Sequence, residues 1–139
     1  MKRLRWLTLL LLAFPFITAM GAPSGTTVVD SIPIPSKILS ATFVDQMDVA
    51  TECTHVSIEG KTVFDGRRGK GISLISLEDV DRILFFMKDG ELTAQVRLRE
   101  NAETINLTVN ENLRAFGKTS WGTFQIRLGD LKSVTMTAS

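Results

Sequence analysis

A cysteine, a histidine and a serine alternate along one short stretch of the chain, at Cys53, His55 and Ser57. If this stretch is a strand with Val56 and Ile58 facing inward, the three side chains share the outer face, with neighbours about 7 Å apart. A histidine beside a cysteine can activate a thiolate or supply half of a metal site. Catalysis also needs an orienting group and an oxyanion site, and further metal ligands are not close in sequence. We therefore expect no catalytic residues, no metal and no cofactor, with Cys53 a free thiol or half of an intermolecular disulfide.

Three basic residues surround a glycine-rich stretch, at Arg67, Arg68 and Lys70. Such a loop suits an anion such as a phosphate, a lipid headgroup or an acidic glycan, although the residue order is not that of a P-loop. The alternative is a solvated turn whose charges face carboxylates elsewhere. Trp121 follows Lys70 by 51 positions and is either an exposed platform for a partner or a cap on the core. These four are the candidate binding residues.

The carboxylates Glu78, Asp79 and Asp81 form the remaining cluster of ionisable side chains. Their spacing is not that of an EF-hand loop, so the cluster does not predict a calcium site. We expect Asp79 instead to cap a single helical or 3₁₀ turn with its side chain.

The first 21 residues have the order of a secretory signal peptide: basic residues, then an apolar run over 6–17, then small residues. The apolar run is shorter than the roughly 20 residues that span a bilayer. We expect a signal helix over 1–21, removed on export to the periplasm or the outside, and no transmembrane span in the remaining chain. A retained N-terminal anchor is the alternative.

Charge and composition exclude several classes of function. The chain of 139 residues carries 16 Lys+Arg and 15 Asp+Glu, and removal of 1–21 leaves 13 basic and 15 acidic residues. This near-neutral balance gives no electrostatic support for nucleic-acid binding. With 44% hydrophobic and 22% charged residues the composition is globular, and one cysteine excludes an internal disulfide framework.

Beyond an extended, proline-containing lead-in at 22–37, the chain alternates between apolar and polar residues, as half-buried strands do. Shifting the chain by 51 positions overlays residues 54–85 on 105–136, so that glycines coincide at Gly66/Gly117 and Gly71/Gly122. We interpret these glycines as permitting a tight turn or bend before a strand. Asp79 coincides with Asp130, which predicts the same short helical turn in both copies.

The sequence thus predicts an all-β chain of two pseudo-repeated units, 38–88 and 89–139. Each unit has about five short strands, with one turn of helix before the last. In topology the unit resembles the small five-stranded barrels of the Src-homology and Sm-like type, a likeness that implies nothing about function. The two units are expected either to pack as separate barrels or to merge into one β-sandwich.

The string from Gly117 to Val134, with its companion around Gly66 to Gly71, also resembles a recurrent motif of an uncharacterised family of small exported bacterial β-domain proteins. This resemblance implies architecture and compartment only. The leading expectation for function is a non-enzymatic exported module that binds a protein partner or an envelope component. The alternatives are a structural envelope subunit that self-associates as a homo-oligomer and, last, thiol or metal chemistry at Cys53 and His55.

Overall fold

A computed structural model describes residues 37–137 of the chain. These residues confirm the all-β prediction, because they contain strands, turns and two short 3₁₀ turns. The signal segment at 1–21 and all but Lys37 of the lead-in at 22–37 lie outside the described residues. No helix in the part of the chain described here is long and apolar enough to cross a membrane.

Ten strands follow one another along these residues. Their bounds are β1 (Ala41–Asp45), β2 (Ala50–Ile58), β3 (Val63–Arg68), β4 (Gly71–Ser76), β5 (Val80–Lys88), β6 (Glu91–Leu98), β7 (Thr104–Val109), β8 (Arg114–Thr119), β9 (Gly122–Arg127) and β10 (Leu131–Met136). The first 3₁₀ turn (Leu77–Asp79) precedes β5 and the second (Leu128–Asp130) precedes β10. Each predicted unit therefore contains five strands, with one helical turn before the last.

All ten strands belong to one antiparallel sheet in the order β4-β3-β7-β6-β5-β10-β1-β2-β8-β9. The sheet curls into a half-barrel, so neither two separate barrels nor two stacked sheets describe it. Only the pairs β1–β2, β3–β4, β6–β7 and β8–β9 join strands of the same predicted unit. Every other pairing joins one unit to the other. If each strand of the first unit is exchanged with its counterpart in the second, β1 with β6 and so on to β5 with β10, the same strand order is obtained in reverse.

Two short connections require the curl. Four residues, 59–62, link β2 to β3, although these strands stand six places apart in the sheet. In a flat sheet that separation is about 29 Å, at ~4.8 Å per strand. The five Cα–Cα steps from Ile58 to Val63 reach only about 18 Å. Residues 110–113 make the equivalent crossing from β7 to β8, so both arms of the sheet must fold toward each other.

The 3₁₀ turns are held by backbone hydrogen bonds from the opposite unit. Arg99 N donates to Asp79 O at 2.8 Å, and Gln46 N donates to Asp130 O at 3.0 Å. The prediction that the aspartate side chains cap these turns is wrong. In the first turn Glu78 N donates to the side chain of Ser76, and the second has no side-chain cap, since both aspartates are the last residues of their turns.

One hydrophobic core lies on the inner face of the curled sheet. Its largest fully buried side chains are Phe43, Phe64, Leu77, Ile83, Leu107, Leu128 and Leu131. Of the matched glycines, Gly71 and Gly122 follow turns and begin β4 and β9, as expected of residues at a turn before a strand. Gly66 and Gly117 lie in mid-strand, so the same interpretation is wrong for them. A Cβ at Gly66 would come within 2.8 Å of Leu107 Cβ, and one at Gly117 within 2.6 Å of Cys53 Cβ. Glycine is needed there because a neighbouring strand approaches closely.

Candidate functional site

The basic candidate residues lie on the β3–β4 hairpin. Arg67 and Arg68 end β3, and a two-residue turn of Gly69 and Lys70 leads into β4. Gly69 has φ +62°, a conformation that glycine adopts without steric cost. Arg67 donates to Glu91 at 3.1 Å, whereas Arg68 and Lys70 make no ion pair with any residue of 37–137. The hairpin tip therefore presents two exposed, unpaired cations.

Strand β4 exposes two large apolar side chains beside this tip. Ile72 is 68% exposed and Leu74 is 70% exposed, while Ile75 faces the core. Ile72 is paired with Arg67 on β3, and Leu74 is paired with Asp65. Single exposed apolar residues are normal on protein surfaces, but two on the same face of one strand are a candidate contact surface. We call Ile72, Leu74 and the backbone of Gly71–Ser76 the β4 edge.

The β4 edge is an end of the sheet, because β3 is its one strand neighbour within residues 37–137. In a hairpin with a two-residue turn, the flanking pair Arg68 and Gly71 is hydrogen-bonded, and hydrogen-bonded pairs alternate along the ladder. Ile72, Leu74 and Ser76 therefore point their N–H and C=O groups away from β3. Natural sheet edges are usually blunted by charge, proline or a bulge, and β4 contains neither a charged residue nor a proline.

The opposite end of the sheet is β9, which has polar and charged side chains where β4 has apolar ones. Thr123 and Gln125 stand where β4 has Ile72 and Leu74, 51 positions earlier. The last residue of β9, Arg127, donates to Asp130 at 3.2 Å and to Asn112 at 2.7 Å. The hydrogen bond and the charge of Asp130 raise the pKa of the Arg127 guanidinium. The two ends of one sheet thus differ in polarity and charge.

Trp121 lies at the tip of the β8–β9 hairpin and is 70% exposed, so it is not a cap on the core. Its backbone N donates to Thr119 Oγ1 at 3.2 Å, and that hydroxyl donates to Gly122 O at 3.0 Å. The basic residues and Trp121 therefore belong to different hairpins, at opposite ends of the strand order.

The expected outer face of Cys53, His55 and Ser57 is wrong, because a β-bulge interrupts β2 between Thr54 and Ser57. His55 adopts φ +54° at this bulge, and its Nδ1 lies 3.0 Å from Thr54 Oγ1. Cys53 is 3% exposed and belongs to the core. Burial raises the pKa of its thiol to about 11, so the thiol is neutral at physiological pH. The arrangement supplies no accessible thiolate.

The carboxylate cluster is dispersed over exposed ion pairs. Glu78 pairs with Lys37, and Asp81 lies 3.7 Å from Arg97. Nowhere in residues 37–137 do three His, Cys, Asp or Glu side chains converge as metal ligands.

A polar cleft of about 670 Å³ opens between the ends of β1, β2 and β8, with Glu52 and Lys118 among its lining residues. The hydroxyl residues that line it are Ser40, Thr42, Thr54, Thr119, Ser120 and Thr137.

Sequence reasoning found the basic tip and Trp121 but missed Ile72 and Leu74. The signal was present in the alignment at a shift of 51 positions, where these two apolar residues coincide with the polar Thr123 and Gln125. Comparisons with protein-family models, with curated proteins and with solved structures found no match to this chain. The candidate site therefore rests on the geometry of the β4 edge and its basic tip.

Proposed function

We propose that this chain is an exported, non-enzymatic binding module that takes a strand of a protein partner along the β4 edge. Within residues 37–137, β4 is an uncovered end of the sheet with exposed Ile72 and Leu74, and the neighbouring Arg68 and Lys70 make no ion pair there. This observation carries the proposal. Strand addition uses such an end, since backbone hydrogen bonds give affinity and alternate side chains give specificity.

The parts of the site have separate roles in this proposal. The N–H and C=O groups of Ile72, Leu74 and Ser76 hold the incoming strand. The side chains of Ile72 and Leu74 contact every second residue of that strand on the outer face. Arg68 and Lys70 attract a carboxylate near the end of the partner strand and raise the rate of encounter. Arg67 is held by Glu91 and contributes mainly through the aliphatic part of its side chain.

The proposal includes export of the chain and an origin by duplication. Export is supported by the charge, apolar run and small residues of 1–21. Duplication is supported by the spacing of three pairs of strands. β8 begins 51 positions after β3, β9 begins 51 positions after β4, and β10 begins 51 positions after β5. It is also supported by a strand order that reverses when the two units are exchanged. Trp121, on the other hairpin, forms a separate contact surface for a second partner or an envelope component.

Capture of interacting proteins tests the binding role. The tagged chain, the variant Leu74→Lys and the variant Thr123→Lys are each expressed in the native host, and crosslinked proteins are identified. Leu74 and Thr123 are both exposed strand residues, so both variants are expected to fold. We expect the native chain and Thr123→Lys to retain the same crosslinked protein, and Leu74→Lys to lose it. An unchanged set of crosslinks in all three proteins contradicts the proposal.

The intact mass of the protein recovered from the cell envelope tests export separately. We expect a chain that begins after Gly21 or Ala19. A chain of full length found in the cytoplasm contradicts export but leaves the β4 edge as a binding surface.

A further inference from the structure

We infer that the strand received by the β4 edge is β4 of a second copy of this chain, paired antiparallel about a two-fold axis. This inference rests on the proposed function and names the partner of that same site. In the pairing, Leu74 lies opposite the partner's Leu74. Ile72 lies opposite the partner's Ser76, and the reverse pair follows from the symmetry.

The backbone of β4 fits this register. In an antiparallel ladder, two opposed residues either both direct their N–H and C=O groups at each other or both direct them away. Ile72, Leu74 and Ser76 all direct these groups away from β3, toward the partner. A register centred on Leu74 opposes only residues of this kind, so each forms a hydrogen-bonded pair across the axis. A shift by one residue would oppose groups of unlike direction and lose the ladder.

The side chains of β4 also complement a second copy. On the outer face the register brings Leu74 against the partner's Leu74, with both Ile72 side chains diagonal to that contact. Two exposed apolar surfaces are thereby removed from water together. The strand has no lysine, arginine, aspartate or glutamate that would oppose itself across the axis. An edge strand that pairs with itself must avoid such residues, because a charged side chain opposite the same side chain of the second copy is repelled by it.

Charge complementarity distinguishes a second copy from an unrelated strand. The two ends of β4 carry opposite charge: the cations Arg68 and Lys70 precede it, and the carboxylates Glu78 and Asp79 follow it. Antiparallel pairing places the basic end of one copy near the acidic end of the other. This brings Lys70 near the partner's Glu78, a carboxylate that also pairs with Lys37 of its own copy. Like charges would meet in a parallel pairing. The molecule therefore carries both halves of the electrostatic match that this edge requires.

The assembly closes at two copies. Pairing through β4 doubles the ten-stranded sheet and leaves β9 of each copy at its two ends. These ends carry Gln125 and Arg127, and Arg127 is held by Asp130, so they resist further strand addition. The pairing thus predicts a dimer rather than a filament.

Sedimentation of the purified full chain tests the dimer. We expect a mass twice that of one chain for the native protein and for Thr123→Lys. Leu74→Lys is expected to sediment as one chain, because two lysines would then face each other across the axis. Lys70→Glu is expected to weaken the dimer, and adding Glu78→Lys to restore it. Monomers at all concentrations, or dimers insensitive to Leu74→Lys, overturn the inference.

A cysteine placed on the axis reports the register without relying on loss of binding. Opposed residues of a hydrogen-bonded pair have Cα atoms about 5.5 Å apart, within the range that a disulfide bridges. Leu74→Cys is expected to form a disulfide-linked dimer under oxidation by air. Thr123→Cys is the matched control and is expected to remain a monomer in denaturing, non-reducing gels, while buried Cys53 stays reduced. Equal crosslinking at both positions overturns the register.

The outcomes separate this inference from the proposed function. If the native chain is a monomer but Leu74→Lys loses a crosslinked protein in the host, the β4 edge binds a different partner. The proposed function then stands, and the inference that the partner is a second copy of this chain is wrong. If the chain is a monomer and Leu74→Lys changes no crosslink, both are wrong.

Discussion

Replacement of Gly117 by alanine tests the close approach of β2 and β8. The added Cβ would lie 2.6 Å from Cys53 Cβ, 3.0 Å from Cys53 Sγ and 3.4 Å from Thr54 O. Carbon atoms in contact prefer about 3.5–4.0 Å, so the two strands must separate by roughly 1 Å. Cys53 Cβ is fixed to the backbone and no rotamer change relieves the contact. Overpacking of this kind costs about 1–3 kcal/mol.

Glycine removal also has an opposing effect on the unfolded chain. Alanine restricts the unfolded chain, which contributes about 0.4–1 kcal/mol of stability where the folded backbone accepts it. The expected net loss in free energy of unfolding is therefore about 1–2 kcal/mol. In a domain of this size each lost kcal/mol lowers Tm by roughly 4–8 °C.

Denaturant unfolding measures this loss and its cause. Gly71→Ala is the control, because the nearest atom to its Cβ is Arg68 O at 3.7 Å. We expect Gly71→Ala to be as stable as the native chain or slightly more stable. Combining Gly117→Ala with Cys53→Gly removes the clash, so the double variant should lose less than the sum of the two single losses. A Gly117→Ala chain of native stability, or additive losses, would refute the close approach.

Three further predictions concern single side chains. Ser57 Oγ is buried and finds no hydrogen-bond partner within residues 37–137, so Ser57→Ala should raise the free energy of unfolding by about 1 kcal/mol, and a loss measured by denaturation would contradict this. Because burial raises the pKa of the Cys53 thiol from 9.0 to about 11, we expect full stability below pH 9 and a loss of at most about 2–3 kcal/mol as pH rises through 11. Cys53→Ala should lose most of that alkaline dependence in unfolding curves. Trp121→Ala should change stability by less than about 0.5 kcal/mol, whereas Phe43→Ala, which loses a stacked contact with Phe124 at 5.9 Å, should cost about 3–5 kcal/mol. Similar thermal shifts for these two variants would show that Trp121 packs against the fold.

Local patterns predicted the strands well because alternation reports which face of a strand is buried. Leu92, Ala94 and Val96 alternate in sequence with polar residues and are all core residues of β6. The partners of each strand were less predictable. Pairing of β3 with β7, and of β2 with β8, depends on contacts between distant parts of the chain that alternation does not encode.

The bulge in β2 explains why the cysteine was placed on the wrong face. Strict alternation would place Cys53 and Val56 on opposite faces of the sheet, but the bulge at His55, with φ +54°, adds an extra residue to the strand. Cys53 and Val56 therefore both reach the core.

At the candidate site, charge and aromatic residues pointed to the two hairpin tips. The exposed Ile72 and Leu74 resembled ordinary strand residues, and only the position of β4 at the end of the sheet makes them notable.

The interleaving of the two units also sets the order in which the chain can fold. β1 lies between β2 and β10, so the first strand of the sheet cannot be paired on both sides until the tenth has been synthesised. Such a high mean sequence separation of contacts slows folding to roughly milliseconds or seconds. A nascent chain that lacks residues 131–136 has no partner for one side of β1 or of β5, and cannot complete the centre of its sheet. The centre of the sheet therefore forms only after residues 131–136 have left the ribosome, and the earlier strands stay incompletely paired until then.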